Sequence, residues 1–337
     1  MSSWYTDKES KNFSVLSTRI RLARNLSGMP FPYKMTEADR KELKEKVKNA
    51  VKNSNSHLIS TLKYIDMADV PDAKIKAMVE RHVISPEFAN FKNSAIILSE
   101  DESISIMVGE EDHIRIQVVL AGLQLEKAYE MAEQIDRFLN DSLEFAYDSE
   151  LGFLTECPTN LGTGLRASVM MHLPLLESTG KLNSLCENIA KIGFTVRGIY
   201  GEGSKSSASL YQISNQITLG ISEKNAIDNL ALIATQLTEK ERQTEDEIDR
   251  ISLEDKIFRA LGILQNCRIL TSAEMMNLLS LINLGLRMGI IKEDYEPIKL
   301  LIDAKPYMLM DKYGDLTPDE RDVKRAEYVR EHLKPTM

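Results

Sequence analysis

The sequence runs to 337 residues, 43% of them hydrophobic, with 42 Lys and Arg against 51 Asp and Glu and a formal net charge of -9. That length and apolar content suffice for one large domain plus a smaller one, each with a real core. The acidic balance argues against general nucleic-acid binding and against a polybasic membrane anchor.

No apolar run approaches a membrane span, and the polar stretch Met1 to Asn12 has no signal-peptide core. Cys157, Cys186 and Cys267 lack CxxC spacing, and the five histidines form no ligand pair with them. The expectation is a reduced, cytosolic, zinc-free protein.

In chain order, Val15 to Arg24 reads as a strand whose alternation puts Ser17, Arg19 and Arg21 on one face. Two guanidiniums side by side repel each other unless an anion lies between them. A basic, solvated edge strand fits the same residues equally well. Thr36 to Asn53 has the pattern of a charged amphipathic helix, with Leu43, Val47, Ala50 and Val51 on its apolar face. Pro71 to Arg81 reads as a second helix with proline in its first turn. Ser94 to Leu98 and Ser103 to Val108 follow as strands around the turn at Glu100 to Glu102. The acidic triplet Glu110-Glu111-Asp112 then leads into a segment whose polar face carries His113, Arg115 and Gln117. A helix is predicted over Leu123 to Leu143.

The loop Cys157-Pro158-Thr159-Asn160-Leu161-Gly162-Thr163-Gly164-Leu165-Arg166 lies between an apolar run and the alternating segment Ala167 to Leu173. A thiol stands at one end and a guanidinium at the other. The glycines between them would let backbone N–H groups approach an anion, and Arg166 would grip a phosphate with its planar fork. Taken alone, an ordinary Pro/Gly turn is the simpler reading. A helix over Glu177 to Lys191 and a strand over Phe194 to Tyr200 come next. The small, polar stretch Gly201 to Ser207 carries one carboxylate, Glu202, and reads either as a hairpin loop or as a flap that closes over substrate. Leu210 to Leu219 returns as a strand. Strands in runs with helices set between them, few in strict βαβ alternation, predict an α+β fold with a largely antiparallel sheet.

These motifs, in this order, resemble the catalytic domain of the phosphagen (guanidino) kinase family over about residues 15 to 220. The resemblance implies nucleotide-phosphate contacts from Arg19, Arg21, Arg115, Arg166 and Arg197. It implies carboxylates on the substrate guanidinium at Glu111 and Glu202, an active-site thiol at Cys157, and ATP with Mg²⁺ held through its phosphates. Two departures narrow it. Members acting on small guanidino compounds carry a separate helical domain before this region, whereas here the first arginine motif begins at Ser17. The histidine expected near the adenine falls on Leu98.

The C-terminal part is helical. Ser222 to Glu247 reads as a long helix, charged after Leu237. Ile251 to Leu264 and Ser272 to Leu286 are strongly apolar, Leu278, Leu279, Leu281 and Ile282 included, which fits either a private core or a dimer interface. A boundary near Arg250 divides residues 1–250 from an all-helical domain at 251–337. Thr317-Pro318-Asp319-Glu320 is a capping box that places Arg321, Asp322 and Arg325 in the first turns of a helix. On composition alone that helix is simply solvated. The whole chain resembles bacterial protein arginine kinases of the McsB type. That likeness implies a phosphoarginine-sensing motif at Arg321, Asp322 and Arg325, and dimers or higher oligomers. It also implies partners: arginine-containing substrates such as a heat-shock transcriptional repressor, a zinc-binding activator protein and Clp-type degradation machinery. A small-molecule guanidino kinase and a catalytically silent phosphoarginine-binding regulator are the rival readings.

Overall fold

The computed structural model describes residues 3–7, 12–53, 57–198 and 208–334. The predicted flap, Glu202 included, and the last two residues of the strand before it lie outside these. Ten strands are described: β1 (Val15–Arg24), β2 (Lys63–Asp66), β3 (Ala95–Leu98), β4 (Ile104–Val108), β5 (Ile114–Ala121), β6 (Tyr147–Asp148), β7 (Gly152–Phe153), β8 (Leu165–His172), β9 (Phe194–Gly198) and β10 (Leu210–Asn215). Eight of them form one sheet in the order β2-β3-β4-β5-β1-β8-β10-β9, and β6 pairs with β7 separately. The pairings β2·β3, β3·β4, β4·β5 and β1·β5 are all antiparallel. With helices between the strands and a helical C-terminal region, the α+β expectation holds.

The chain packs as two compact units, one of residues 1–10, 17–169 and 214–232, the other of 11–16, 170–213 and 233–337. In the first, the β1·β5 register sets Arg21 opposite Gln117 and Ala23 opposite Arg115. Residues opposite each other in an antiparallel pair share a face, so the polar faces predicted for both strands are one face. On the reverse face Ile20, Leu22, Ile114, Ile116 and Val118 are buried. A further cluster of Met67, Ile75, Met78, Phe88, Ile96 and Met107 packs beneath β3 and β4. The helix Glu37–Lys52 starts at a capping box in which Thr36 and Asp39 satisfy each other's backbone N–H.

In the second unit the single helix predicted over Glu177 to Lys191 is two, Pro174–Ser178 and Leu182–Lys191. The chain turns between them at Thr179 and Gly180, a break that the apolar spacing of Leu175, Leu182 and Ile189 runs across without a sign. The strand predicted to Leu219 ends at Asn215. Beyond it, Asn215 caps the segment with its own side chain, Nδ2 donating to the Ile217 carbonyl at 3.1 Å. The helix Glu223–Gln243 ends in a tight turn at Thr244–Glu247. The two apolar helices are Arg250–Asn266 and Ser272–Arg287. Leu279 and Ile282 belong to the unit's own core. Buried Glu241 accepts from the backbone N–H groups of Leu175 and Leu176, both at 2.9 Å, and from Arg287 at 3.0 Å.

His172 lies in this core, 1% exposed. Asn283 Nδ2 donates both to the Phe13 carbonyl at 2.8 Å and to His172 Nδ1 at 2.9 Å. Nδ1 therefore accepts, and the ring is the neutral Nε2–H tautomer, which donates to Ser280 Oγ at 2.7 Å. Burial, and then the Arg287 charge, lowers its pKa to about 3. The unfolded chain takes this proton near pH 6.5, the folded one only near pH 3, so stability falls as pH drops through that window. The expected slope is up to about 1.4 kcal/mol per pH unit. Urea denaturation at a series of pH values should show it in the wild type and lose it in His172→Gln.

Candidate active site

The polar face of β1 and β5 carries Arg19, Arg21 and Arg115, and Arg166 stands at the start of β8. They are close enough to act on one another. Burial first, then the charges of Arg19, Arg115 and Arg166, push the Arg21 guanidinium well below its ordinary pKa, while Glu110 opposes the shift. The Nε of Arg21 is buried without a hydrogen-bond partner. Arg166 reaches Ser214 Oγ at 3.5 Å. Four guanidiniums gathered on one face of an acidic protein cost stability unless an anion of several charges sits among them. The arrangement fits a polyphosphate.

The acidic triplet divides its work. Glu110 is buried, accepts from the Ser85 hydroxyl and pairs with Arg115 Nη1 at 2.6 Å. Burial raises its pKa, against the pull of Arg115. Asp112 is fully buried and accepts from Asn25 Nδ2 at 2.6 Å and from the Glu156 N–H at 2.8 Å. His113 beside it receives the Leu26 N–H on Nδ1 at 2.9 Å and donates from Nε2 to the Pro30 carbonyl at 2.8 Å, so it is neutral. Its pKa is lowered, mainly by burial. These two residues anchor the turn. Between Glu110 and Asp112, Glu111 projects outward, its side chain 44% exposed and 3.8 Å from Arg115 Nη2. Only this carboxylate of the three is open to a cationic ligand.

The cysteine loop meets the triplet through Asn160, whose Nδ2 donates to Glu111 Oε1 at 3.1 Å. Cys157 is partly exposed, its Sγ 3.0 Å from Thr159 Oγ1. Thr218 Oγ1 fixes the loop by hydrogen bonds to the carbonyls of Thr159 at 3.0 Å and Leu161 at 2.7 Å. The glycines answer to protein neighbours. A Cβ on Gly162 (φ +106°) would lie 2.4 Å from the Thr218 carbonyl oxygen, and one on Gly164 (φ +62°) 2.5 Å from Arg24 Nη1. Arg24 faces away from the cluster. It grips Asp136 with two bonds of 2.8 and 3.0 Å, and its guanidinium stacks 3.6 Å from the centre of the Phe153 ring.

The structure therefore brings Arg19, Arg21, Arg115, Arg166, Glu111 and the Cys157 loop together in the first unit. Arg197 is exposed on β9 in the second, and Glu202 lies outside the described residues. Leu98, where the sequence suggested an adenine neighbour, is half-buried on β3 between Lys63 and Ser105. In the second unit the helix Pro318–His332 begins at the predicted capping box. Buried Arg325 there donates to the carbonyls of Ala304 and Leu270, each at 2.8 Å, and pairs with Asp322, while Arg321 is partly exposed. The supporting residues Ser85, Asn25, Asn160 and Asp136 escape sequence reading. Their only sequence signal is residue type, and their partners are distant in the chain.

Residues 42–244 match the family model described as the ATP:guanido phosphotransferase C-terminal catalytic domain, and residues 250–337 match that of the protein-arginine kinase McsB C-terminal domain. A protein-arginine kinase of Caldanaerobacter subterraneus subsp. tengcongensis is 43% identical over 95% of this chain and 96% of its own. One from Clostridium kluyveri is also 43% identical, over 99% of each chain. Among solved structures, a substrate-free duplicated taurocyamine kinase from Schistosoma mansoni has the same fold, with TM-score 0.61 and 24% identity. It is matched over 82% of this chain and 42% of its own. A lombricine kinase gives TM-score 0.60 and 24% identity over 71% and 69%. The arginine cluster, the acidic turn and the cysteine loop thus sit on a known catalytic fold, and the chain belongs to the protein-arginine kinase family of ATP:guanido phosphotransferases.

Proposed function

We propose that this protein transfers the γ-phosphoryl group of Mg-ATP to arginine side chains of proteins. The observation that carries the reading is the guanidinium cluster beside one outward carboxylate, Glu111. Such a site binds a polyphosphate and a cationic acceptor next to each other. Arg19, Arg21, Arg115 and Arg166 hold the phosphates, joined by Arg197 in the family pattern. The Mg²⁺ that accompanies ATP neutralises charge on its phosphates, which are its main ligands.

Arginine is a poor nucleophile, because its lone pairs are delocalised and its pKa exceeds about 12. Glu111, with Glu202 as its partner, clamps the guanidinium and aligns one nitrogen with the phosphorus. One carboxylate takes a proton as the N–P bond forms. Asn160 and Arg115 hold Glu111 for this task, and Cys157 borders the same site. The domain arrangement that goes with this reading is a catalytic part at 1–250 and a helical part at 251–337 that serves dimerisation and phosphoarginine sensing. The exposed Ile251 and Phe258 on the helix Arg250–Asn266 support an interface there. Substrates in a stress response, among them a transcriptional repressor, and delivery to Clp-type proteases belong to the same proposal, as does a cytoplasmic location. Among the described residues, no helix is long and apolar enough to cross a membrane.

Incubation with Mg-ATP and either a denatured protein or free arginine tests this. Acid-labile phosphate on the protein alone is the expected result. Phosphate on free arginine alone would make the chain a small-molecule guanidino kinase, and none on either would make it a silent regulator. For the motif at Arg321, Asp322 and Arg325, Asp322→Ala is expected to abolish stimulation by phosphoarginine while leaving Mg-ATP affinity unchanged. Calorimetry and the kinase assay, run on both proteins, check it. Because Asp322 also pairs with Arg325, a thermal melt of the variant separates lost sensing from lost packing.

A further inference from the structure

A cavity of 590 Å³ opens within the second unit, and none of the arginines, acidic-turn or cysteine-loop residues of the candidate active site lines it. Its volume falls in the range of small-molecule sites. Leu175, Leu253, Leu281 and Leu284 form the apolar part of a lining that also carries Thr179, Asn277 and several serines. Ser280 lines the cavity and is only 8% exposed.

The hydrogen-bond chain behind Ser280 fixes what it offers. The Asn283 amide cannot be turned over, since its oxygen would then face the Phe13 carbonyl that its Nδ2 now meets at 2.8 Å. Asn283 thus donates to His172, and His172 donates to Ser280 Oγ. Ser280 accepts on its inner side, so its own hydroxyl proton remains to be given. No acceptor takes that proton among the described residues, and the cavity lies before it. An unspent, nearly buried donor calls for an acceptor from outside.

The rim adds to this demand. Lys256 lines the cavity and forms no ion pair among the described residues. Ser252 and Leu253 bring the first turn of the 17-residue helix Arg250–Asn266 to the wall, and a helix N-terminus favours negative charge. Two carboxylates, Glu177 and Asp249, also line the cavity. Asp249 is engaged in capping Ile251 at 3.2 Å. With Asp249 held in its cap and one ammonium on the rim, the site suits no more than a single negative charge and disfavours a dianion such as phosphate.

We propose that this cavity binds an amphipathic monocarboxylate. Its carboxylate accepts from the Ser280 hydroxyl and faces the Lys256 ammonium, and its short apolar body lies on the leucines. A free short-chain acid and the carboxyl terminus of an apolar peptide share this chemistry.

Isothermal calorimetry on the full chain without nucleotide tests the site apart from phosphoryl transfer. The probes are hexanoate, an N-acetylated tripeptide ending in leucine, the C-terminal amide of that tripeptide, and inorganic phosphate. Saturable binding of at least one acid is expected, with the amide and phosphate about tenfold weaker or worse. Whichever acid binds more tightly identifies the source. Lys256→Gln, on the exposed rim, should weaken the acid about fivefold, and Ser280→Ala by a similar factor. No saturable binding of either acid overturns the proposal. So does equal affinity for acid and amide, or for the wild type and Lys256→Gln, the variant that leaves the core intact.

Discussion

Glu111→Gln is expected to lower phosphoryl transfer to protein arginine about 10³-fold while leaving Mg-ATP affinity close to that of the wild type. The substitution keeps the shape of the side chain and an oxygen for Asn160 Nδ2, which now donates to Glu111 at 3.1 Å. On the proposed mechanism it removes the charge that orients a guanidinium and a carboxylate that can take its proton. Nucleotide binding should survive, because the proposed phosphate contacts are guanidiniums, and Glu111 is 3.8 Å from Arg115 without being its main partner. That partner is Glu110, at 2.6 Å. The same pattern is expected of Glu202→Ala. Nucleotide affinity by calorimetry and transfer by phosphate incorporation decide the matter, and a variant with substantial activity would remove its carboxylate from the mechanism.

Arg166→Lys should cost about 10²-fold in ATP turnover although the charge is kept. A lysine ammonium is a compact point charge and cannot present two parallel N–H bonds to a phosphate. Arg166 is also one of the charges that depress the Arg21 pKa, so its guanidinium belongs to the cluster itself. The discriminating measurement is KM for ATP against kcat. Loss in both is expected of a group that binds the phosphate and positions it for transfer. Wild-type values in both would reduce Arg166 to a scaffold role at the start of β8.

How much of this was legible beforehand depends on how far apart the interacting groups lie in the sequence. Alternation in Val15 to Arg24 and in His113 to Gln117 was enough to place Arg19, Arg21 and Arg115 on polar strand faces. Making those two faces one required the β1·β5 pairing, which joins residues almost a hundred positions apart. The same limit hid Ser85 behind Glu110 and Asp136 behind Arg24. The loop glycines were legible as necessary, but for a different reason. A phosphate was expected against their backbone, and the observed neighbours are the Thr218 carbonyl and the Arg24 guanidinium. The helix break at Thr179 and Gly180 was missed because the apolar periodicity of Leu175, Leu176, Leu182 and Ile189 runs across it almost in phase. The C-terminal capping box needed no tertiary information and was read correctly, since its two partners are three residues apart. That Arg325 would be buried was not visible, because its carbonyl acceptors come from two other segments.

The buried, unpartnered Nε of Arg21 amid three like charges also bears on how the protein should be handled. Without an anion, that repulsion weakens the folded chain and has no counterpart once the chain unfolds. Any anion that seats itself there acts as a stabiliser by mass action, adding about 2.7 kcal/mol when present at a hundred times its dissociation constant. Melting temperature is therefore expected to depend on the buffer as well as on the polypeptide, and to be higher in phosphate or sulfate than in chloride at equal ionic strength. Comparisons between variants of these arginines hold only at matched anion, because a substitution that abolishes binding also relieves the repulsion and can raise the stability of the empty protein.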